Sequence, residues 1–266
     1  MKFSCIFYTF LLSGVSSFSF PARTNAIIKS NTCIHLLKNN AKNPSVAESV
    51  VIQGVGDEGC ALPSPSGINT LDKSFQAAVF FGIFAVLGVS TASLSSIVSD
   101  ATTKYEWLQN WRYTWPLLGA IYAAAGVTHF TVQEEYENIY PAKGSWGIWY
   151  LPGSKGFHVQ WTGVAEFLGG VGLLIGGAID AFAPTYISSP NIVTQAGIES
   201  DSAAGLFLLT LAVTPANIYM FTHGARLPKD GPEVPIAGHA VRGIFQVILL
   251  TMLYQMGLGT FDEFFS

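Results

Sequence analysis

Cysteine and charge are both scarce in this sequence of 266 residues. The three cysteines, Cys5, Cys33 and Cys60, precede the first long apolar segment, and residues 61–266 contain none. That part of the chain therefore has no thiolate nucleophile, no disulfide and no cysteine-held zinc or iron–sulfur centre. Charged residues make up only 11%, the net charge is -4 and the bases are scattered, which excludes the electrostatic signature of a nucleic-acid partner.

Apolar residues are abundant instead. They make up 50% of the sequence, and the mean hydropathy is +0.40, a balance typical of integral membrane proteins. Several segments approach the roughly 17–25 residues that a helical crossing needs. They are residues 75–98, 115–132, 159–183, 202–221 and 241–258. The sequence predicts an all-α, multi-pass membrane protein in contact with a lipid bilayer.

The connections between these segments are numbered loops one to four, with loop two at residues 133–158 and loop four at residues 222–240. If every segment crosses the membrane, three parts of the chain lie on the same side of it. They are the residues before the first segment, loop two and loop four. Their basic residues favour the stromal or cytoplasmic side. The acidic run at residues 134–137 is interpreted as a solvated face. Aromatic residues at the segment ends are expected to lie at the membrane interface: Trp107, Trp111, Trp115, Trp146, Trp149, Tyr150 and Trp161.

The N-terminal residues have the pattern of targeting signals. A short apolar core follows Lys2, and Ser17 and Ser19 have the small-x-small spacing of a cleavage site, which predicts a signal peptide at residues 1–19. Residues 20–47 contain several bases and no acid, as transit peptides do. Residues 48–74, rich in glycine and proline before the first segment, are predicted to be a linker.

Together these segments resemble the bipartite leader that directs nuclear-encoded proteins into the complex plastids of secondary algae. The resemblance rests on the junction at residues 17–22, SFSFPA, and implies a plastid membrane, either thylakoid or envelope. The alternative is an ordinary secretory signal followed by a disordered tail.

Few polar side chains interrupt the apolar segments. A carboxylate at membrane depth costs about 2.5–3.5 kcal/mol, so Glu166 needs a partner, a proton or water. Its helical neighbours include Gly163 and Gly170, which indicates that the acid faces protein. Helical rise places His129 and Glu166 within about one turn in height. The polar residues expected at the end facing loops two and four are His129, Glu166, Asn217, His223, Arg242 and Gln246, whereas Asp180 lies toward the other end.

This clustering predicts a polar cavity between the helices, open toward loops two and four. Pro215 is predicted to kink its helix and free a backbone carbonyl. Structural roles remain open: Glu166 as a neutral or paired acid holding helices in register, and His129 and Arg242 as interface groups. Two histidines and a carboxylate can also bind iron, but the Glu-x-x-His spacing of a di-iron bundle is missing, so no metal site is predicted.

Several sequence blocks resemble successive helices of the DoxX-like membrane family. They are GVTHF at residues 126–130, TGVAEFLGGVGLLI at 162–175, AVTPANIYMFTHG at 212–224 and RGIFQVILL at 242–250. The resemblance implies a four-helix membrane bundle over residues 112–258, with residues 75–98 as an extra N-terminal transmembrane helix and residues 259–266 as a C-terminal tail. It assigns the family pattern to His129, Glu166, Pro215, Asn217, Arg242 and Gln246.

The leading hypothesis is an accessory, non-catalytic plastid membrane protein that binds a small ligand, with a quinone as one candidate. His129, Glu166, Asn217, Arg242 and Gln246 are the predicted ligand-binding residues. The family takes its name from a thiosulfate:quinone oxidoreductase subunit, so a membrane subunit of a quinone-linked oxidoreductase is the enzymatic alternative. A third alternative is an assembly or peripheral subunit of a photosynthetic complex, docking through loop two and the extra helix.

Overall fold

The computed structural model describes residues 32–36, 50–54, 63–182, 197–229 and 231–266. The predicted signal peptide lies outside these residues, as does most of the predicted transit peptide. Two short antiparallel strands, β1 (Thr32–Leu36) and β2 (Val50–Gly54), pair in a register that joins Thr32 to Gly54 and Leu36 to Val50. This pair is not among the elements predicted from the sequence.

From residue 63 onward, the described residues are helical or lie in turns and connections. The helices are α1 (Lys73–Lys104), α2 (Trp115–Thr131), α3 (Gln133–Ile139), α4 (Lys155–Phe182), α5 (Ile198–His223), α6 (Ile236–Met256) and α7 (Leu258–Phe265). Single 3-10 elements occupy Ile68–Thr70, Glu106–Thr114 and Ser145–Gly147. The all-α prediction is confirmed for this part of the chain, and α1, α2, α4, α5 and α6 coincide with the predicted apolar segments.

Four helices, α1, α4, α5 and α6, are long and apolar enough to cross a membrane. The remaining long helix, α2, has 17 residues, at the lower limit of a crossing. It packs along α4 for most of its length. These helices have the dimensions and composition of a multi-pass membrane protein.

Residues 259–265 of the predicted tail are helical and belong to α7. The helix is tied to the start of α5, because the Thr260 hydroxyl lies 2.9 Å from Ser200 Oγ and 2.9 Å from the Asp201 carboxylate. The beginning of the tail is therefore packed against α5, whereas Phe264 and Phe265 are exposed.

Glycines bring the backbones of α2 and α4 into contact. A Cβ atom added to Gly126 would lie 2.5 Å from the carbonyl oxygen of Gly163 and 2.5 Å from the backbone nitrogen of Phe167. A Cβ at Gly119 would lie 2.8 Å from the carbonyl oxygen of Gly170. Since helix interfaces in lipid gain stability mainly from close packing, small residues at these positions set the distance between the two helices.

The chain before α1 is anchored to the end of α5. The Ser64 hydroxyl donates to the carbonyl of Thr222 at 2.9 Å, and the Ser66 hydroxyl donates to the carbonyl of Phe221 at 2.8 Å. These bonds supply partners for carbonyls that a helix end leaves unsatisfied. At the other end of α1, the Gln255 side chain of α6 donates to the Ser95 carbonyl at 2.9 Å, which holds α1 against α6.

Replacement of Gly126 by alanine should destabilise the protein by about 1–3 kcal/mol, because the new methyl group meets backbone atoms of α4 that cannot move aside. Thermal unfolding of the purified protein in detergent measures the effect. The matched control is Gly205→Ala in α5, where an added Cβ meets no atom within 4 Å. Equal unfolding temperatures for the two variants would contradict the proposed close approach of α2 and α4.

Candidate functional site

A cavity of about 210 Å³ lies between α2, α4, α5 and α6 and is covered by loop two. Its walls are largely apolar, and its lining reaches from Tyr140 and Trp149 in loop two down to Leu118 near the start of α2. The structure brings every residue of the predicted site to this cavity: His129, Glu166, Pro215, Asn217, Arg242 and Gln246. Residues from four predicted segments of the chain thus line one space.

Glu166 and His129 face each other across the interface of α4 and α2. His129 Nε2 lies 3.4 Å from Glu166 Oε2. Only 5% of the His129 surface and 3% of the Glu166 surface are exposed. The expectation that Glu166 faces protein is confirmed. The packing explains the approach, because Gly163 lies directly against the Cβ atom of His129 and leaves no side chain between the two helices.

The imidazole of His129 is held on its other edge and on one face. Its Nδ1 atom lies 2.8 Å from the carbonyl oxygen of Val159, in the first turns of α4. The ring of Tyr136 packs on the imidazole with 3.9 Å between ring centroids. Tyr136 is itself fixed by a 2.7 Å hydrogen bond between its hydroxyl and the Thr128 hydroxyl. The orientation of the His129 ring is therefore determined by three separate residues.

Tyr136 corrects the interpretation of residues 134–137 as a solvated acidic face. Its side chain is buried and lines the cavity, although the run around it is acidic. Ile139, three residues later, is also buried. This helical spacing of two apolar residues is the sequence signal for an inward-facing side of the short helix.

On the opposite wall of the cavity, polar side chains of α5 and α6 are joined by hydrogen bonds. Gln246 donates through Nε2 to the Thr214 hydroxyl at 2.6 Å and accepts through Oε1 from Asn217 Nδ2 at 3.3 Å. Gln246 and Asn217, both predicted ligand-binding residues, therefore also bind each other. This pairing fixes α5 relative to α6 and positions both amides at the cavity wall.

Arg242 lies on the same wall, at the loop-four end of α6. The residue is buried, and its Nη1 atom lies 2.8 Å from the sulfur of Met220. An Arg242 guanidinium at the cavity places a fixed positive charge near its mouth, since arginine stays protonated in proteins.

A hydrogen bond between α2 and α5 lies in the lower part of the cavity. The hydroxyl of Tyr122 lies 2.7 Å from the hydroxyl of Thr210, which in turn donates to the carbonyl of Leu206. Because the Thr210 hydrogen is committed to that carbonyl, Tyr122 donates to Thr210. Below this level the α2, α4 and α5 interface is filled by Leu118, Leu173 and Leu206.

Loop two folds over the cavity instead of extending from the membrane surface. Trp146 has 0% exposure, and its ring nitrogen donates to the Thr222 hydroxyl at 3.0 Å. It packs against Phe80 of α1 and Tyr219 of α5. Trp146 is therefore enclosed by protein, whereas Trp107 is 70% exposed. Other side chains of loop two stay on the surface, since Tyr150 is 68% and Phe157 59% exposed.

Three other predicted features are placed as follows. His223 does not line the cavity but stacks on Tyr219, with 4.6 Å between ring centroids. Asp180 lies at the far end of α4, beside Glu199. Helix α5 continues through Pro215, so the predicted kink does not interrupt it, and Pro215 lines the cavity.

Within the part of the chain that the structure describes, no group of three or more His, Cys, Asp or Glu side chains is arranged to hold a metal ion. Comparisons with protein-family models, curated proteins and solved structures found no match for the chain.

Truncation of Trp146 to alanine should destabilise the protein by about 3–5 kcal/mol, the usual cost of removing a buried tryptophan. The control is Trp107→Ala, which removes an exposed ring of the same size. Thermal unfolding in detergent compares the two variants. If both lose the same small amount of stability, loop two is not packed as described.

Proposed function

We propose that this chain is a DoxX-like multi-pass protein of a plastid membrane that binds a small lipophilic ligand of the quinone type in the cavity between α2, α4, α5 and α6. The bundle comprises these four helices, with α1 as an additional N-terminal helix. The protein acts as an accessory, ligand-binding component of the membrane.

One observation carries this proposal: a mainly apolar cavity ends at a buried carboxyl and imidazole whose facing atoms lack hydrogen-bond partners. Small-molecule sites combine apolar walls with a few convergent polar groups that orient the ligand. Buried polar atoms are nearly always satisfied, so an exception at a cavity wall indicates a missing partner. A purely structural Glu166 would be expected to bond fully within the protein.

The arrangement of helices supports entry from the lipid. Helix α2 packs on α4, α4 on α5, and α5 on α6, which also packs on α1. Residues of both α2 and α6 line the cavity, including Ile121, Phe245 and Leu249. Phe245 is an exposed residue of this wall. The wall at Phe245 is the proposed entry of a lipophilic ligand from the lipid.

The proposed roles follow from position. Glu166 is the hydrogen-bonding or proton-sharing group, and His129 is its partner. Arg242 supplies a counter-charge at the mouth. Asn217 is a hydrogen-bond donor to the ligand, and Gln246 holds Asn217 in place.

The quinone-linked oxidoreductase alternative uses the same cavity. It is favoured by the Glu166–His129 pair, which could exchange a proton with a bound quinone. The redox centre would then belong to a partner subunit, because residues 61–266 contain no cysteine to hold one. Purification from the native membrane together with a redox-active partner would distinguish this alternative from the accessory role.

Filling the cavity should weaken binding of a decyl-substituted benzoquinone. Ala125 is buried at the cavity wall, so Ala125→Leu places three additional carbons inside it. We expect the affinity of the protein in nanodiscs to fall about tenfold or more, equivalent to roughly 1.4 kcal/mol. The control is Ala124→Leu, at an exposed position of the same helix. Identical affinities for both variants would contradict a ligand site in this cavity.

Replacement of Glu166 by glutamine should lower the affinity for the same quinone while the protein still accumulates in the membrane. Asp180→Asn, at the far end of the same helix, is the control for removal of an acid. Loss of accumulation without any change in affinity would favour the structural role of Glu166. Unchanged binding together with unchanged accumulation would end its functional role.

A further inference from the structure

The tautomer of His129 follows from its neighbours. Nδ1 lies 2.8 Å from the Val159 carbonyl, which can only accept a hydrogen bond, so Nδ1 carries a hydrogen. The Thr162 hydroxyl, 3.3 Å from Nδ1, lies 2.8 Å from the His158 carbonyl, to which it donates. In the neutral imidazole, Nε2 is therefore an acceptor without a hydrogen.

The Nε2 atom of His129 faces an oxygen of the Glu166 carboxyl group. His129 Nε2 and Glu166 Oε2 are 3.4 Å apart, and neither atom has a hydrogen-bond partner among the described residues. An unprotonated carboxylate oxygen beside a bare nitrogen would be repulsive, so at least one of the two groups carries a proton. A charged pair in this position would also have to be stabilised in a low-dielectric interior.

Two tyrosine hydroxyls of the cavity lining already donate to other groups. Tyr122 donates to Thr210, because the Thr210 hydrogen goes to the Leu206 carbonyl. In the same way Tyr136 donates to Thr128, whose hydrogen goes to the Ala125 carbonyl at 2.6 Å. Both phenols line the cavity, and each has its hydrogen committed elsewhere.

We propose that the site selects a ligand with a hydroxyl group and that this hydroxyl bridges His129 and Glu166. The ligand O–H donates to His129 Nε2, and the ligand oxygen accepts from the protonated carboxyl of Glu166. This inference rests on the proposed function and narrows its ligand class. It favours a phenol or a hydroquinone over an ether or an oxidised quinone.

The selectivity has a physical cause. A hydroxyl satisfies both facing atoms and leaves all three groups neutral, which avoids a buried charge. An ether or a quinone carbonyl accepts from Glu166 but leaves Nε2 without a donor. An unpaired buried acceptor is costly enough to lower affinity about tenfold.

The apolar remainder of such a ligand is accommodated by the same cavity. Ile121 of α2, Val213 of α5 and Leu249 of α6 are apolar residues of its lining. An alkyl chain attached opposite the hydroxyl would follow these residues toward the lipid.

The test compares two redox-inert probes that differ in one hydrogen-bond donor. The full chain in nanodiscs is titrated with 4-decylphenol and with 4-decylanisole, and binding to empty nanodiscs is subtracted. We expect the phenol to bind about tenfold more tightly or better. The same comparison in His129→Asn should reduce the preference to about twofold or less, since the asparagine amide can still donate to Val159 but has no group at the position of Nε2.

Equal binding of the two probes by the unaltered protein would overturn the hydroxyl preference and leave the quinone-type cavity in place. A preference retained in His129→Asn would also overturn it, because the donor would then reach another acceptor. If neither probe binds and the decyl benzoquinone does not bind either, the proposed function itself fails.

Discussion

The contact of α2 with α4 through glycine is the constraint on which the site depends. Gly126 and Gly163 let the two backbones approach so closely that no side chain separates them. His129 and Glu166 are consequently neighbours on adjacent helices, each shielded from solvent and lipid. An acid in an apolar interior needs such a neighbour, because its ionised form is otherwise too costly to retain. Larger residues at either glycine would move the imidazole away from the carboxyl.

The helices and the composition of the site could be predicted because both follow from local rules. The apolar segment predicted at residues 115–132 matches the bounds of α2 to within one residue. Helix α6, in contrast, begins at Ile236, before the predicted residue 241. The rise of a helix then fixes the depth of each side chain, and alternating crossings bring His129, Glu166 and Gln246 to one end. The cavity lining contains these residues for that reason.

Loop two could not be predicted in the same way, since its fold depends on contacts between residues far apart in the sequence. Trp146 is buried by Phe80 and Tyr219, and its ring nitrogen bonds to Thr222, three partners from two other helices. Amphipathic rings near helix ends usually indicate the membrane interface, and no periodic pattern distinguishes the inward-facing ones. The pairing of Gln246 with Asn217 has the same origin: the sequence shows two amides at similar depth but not that they bind each other.

Ser64 and Ser66 bind the last carbonyls of α5 and so place the beginning of α1 beside loop four. Thr260 binds the first turn of α5 and so places α7 at the opposite end of that helix. The two ends of the helical domain thus lie at opposite ends of α5. A polypeptide tethered ahead of α1 would be near loop four, and one tethered after α7 would be separated from it by the full length of α5.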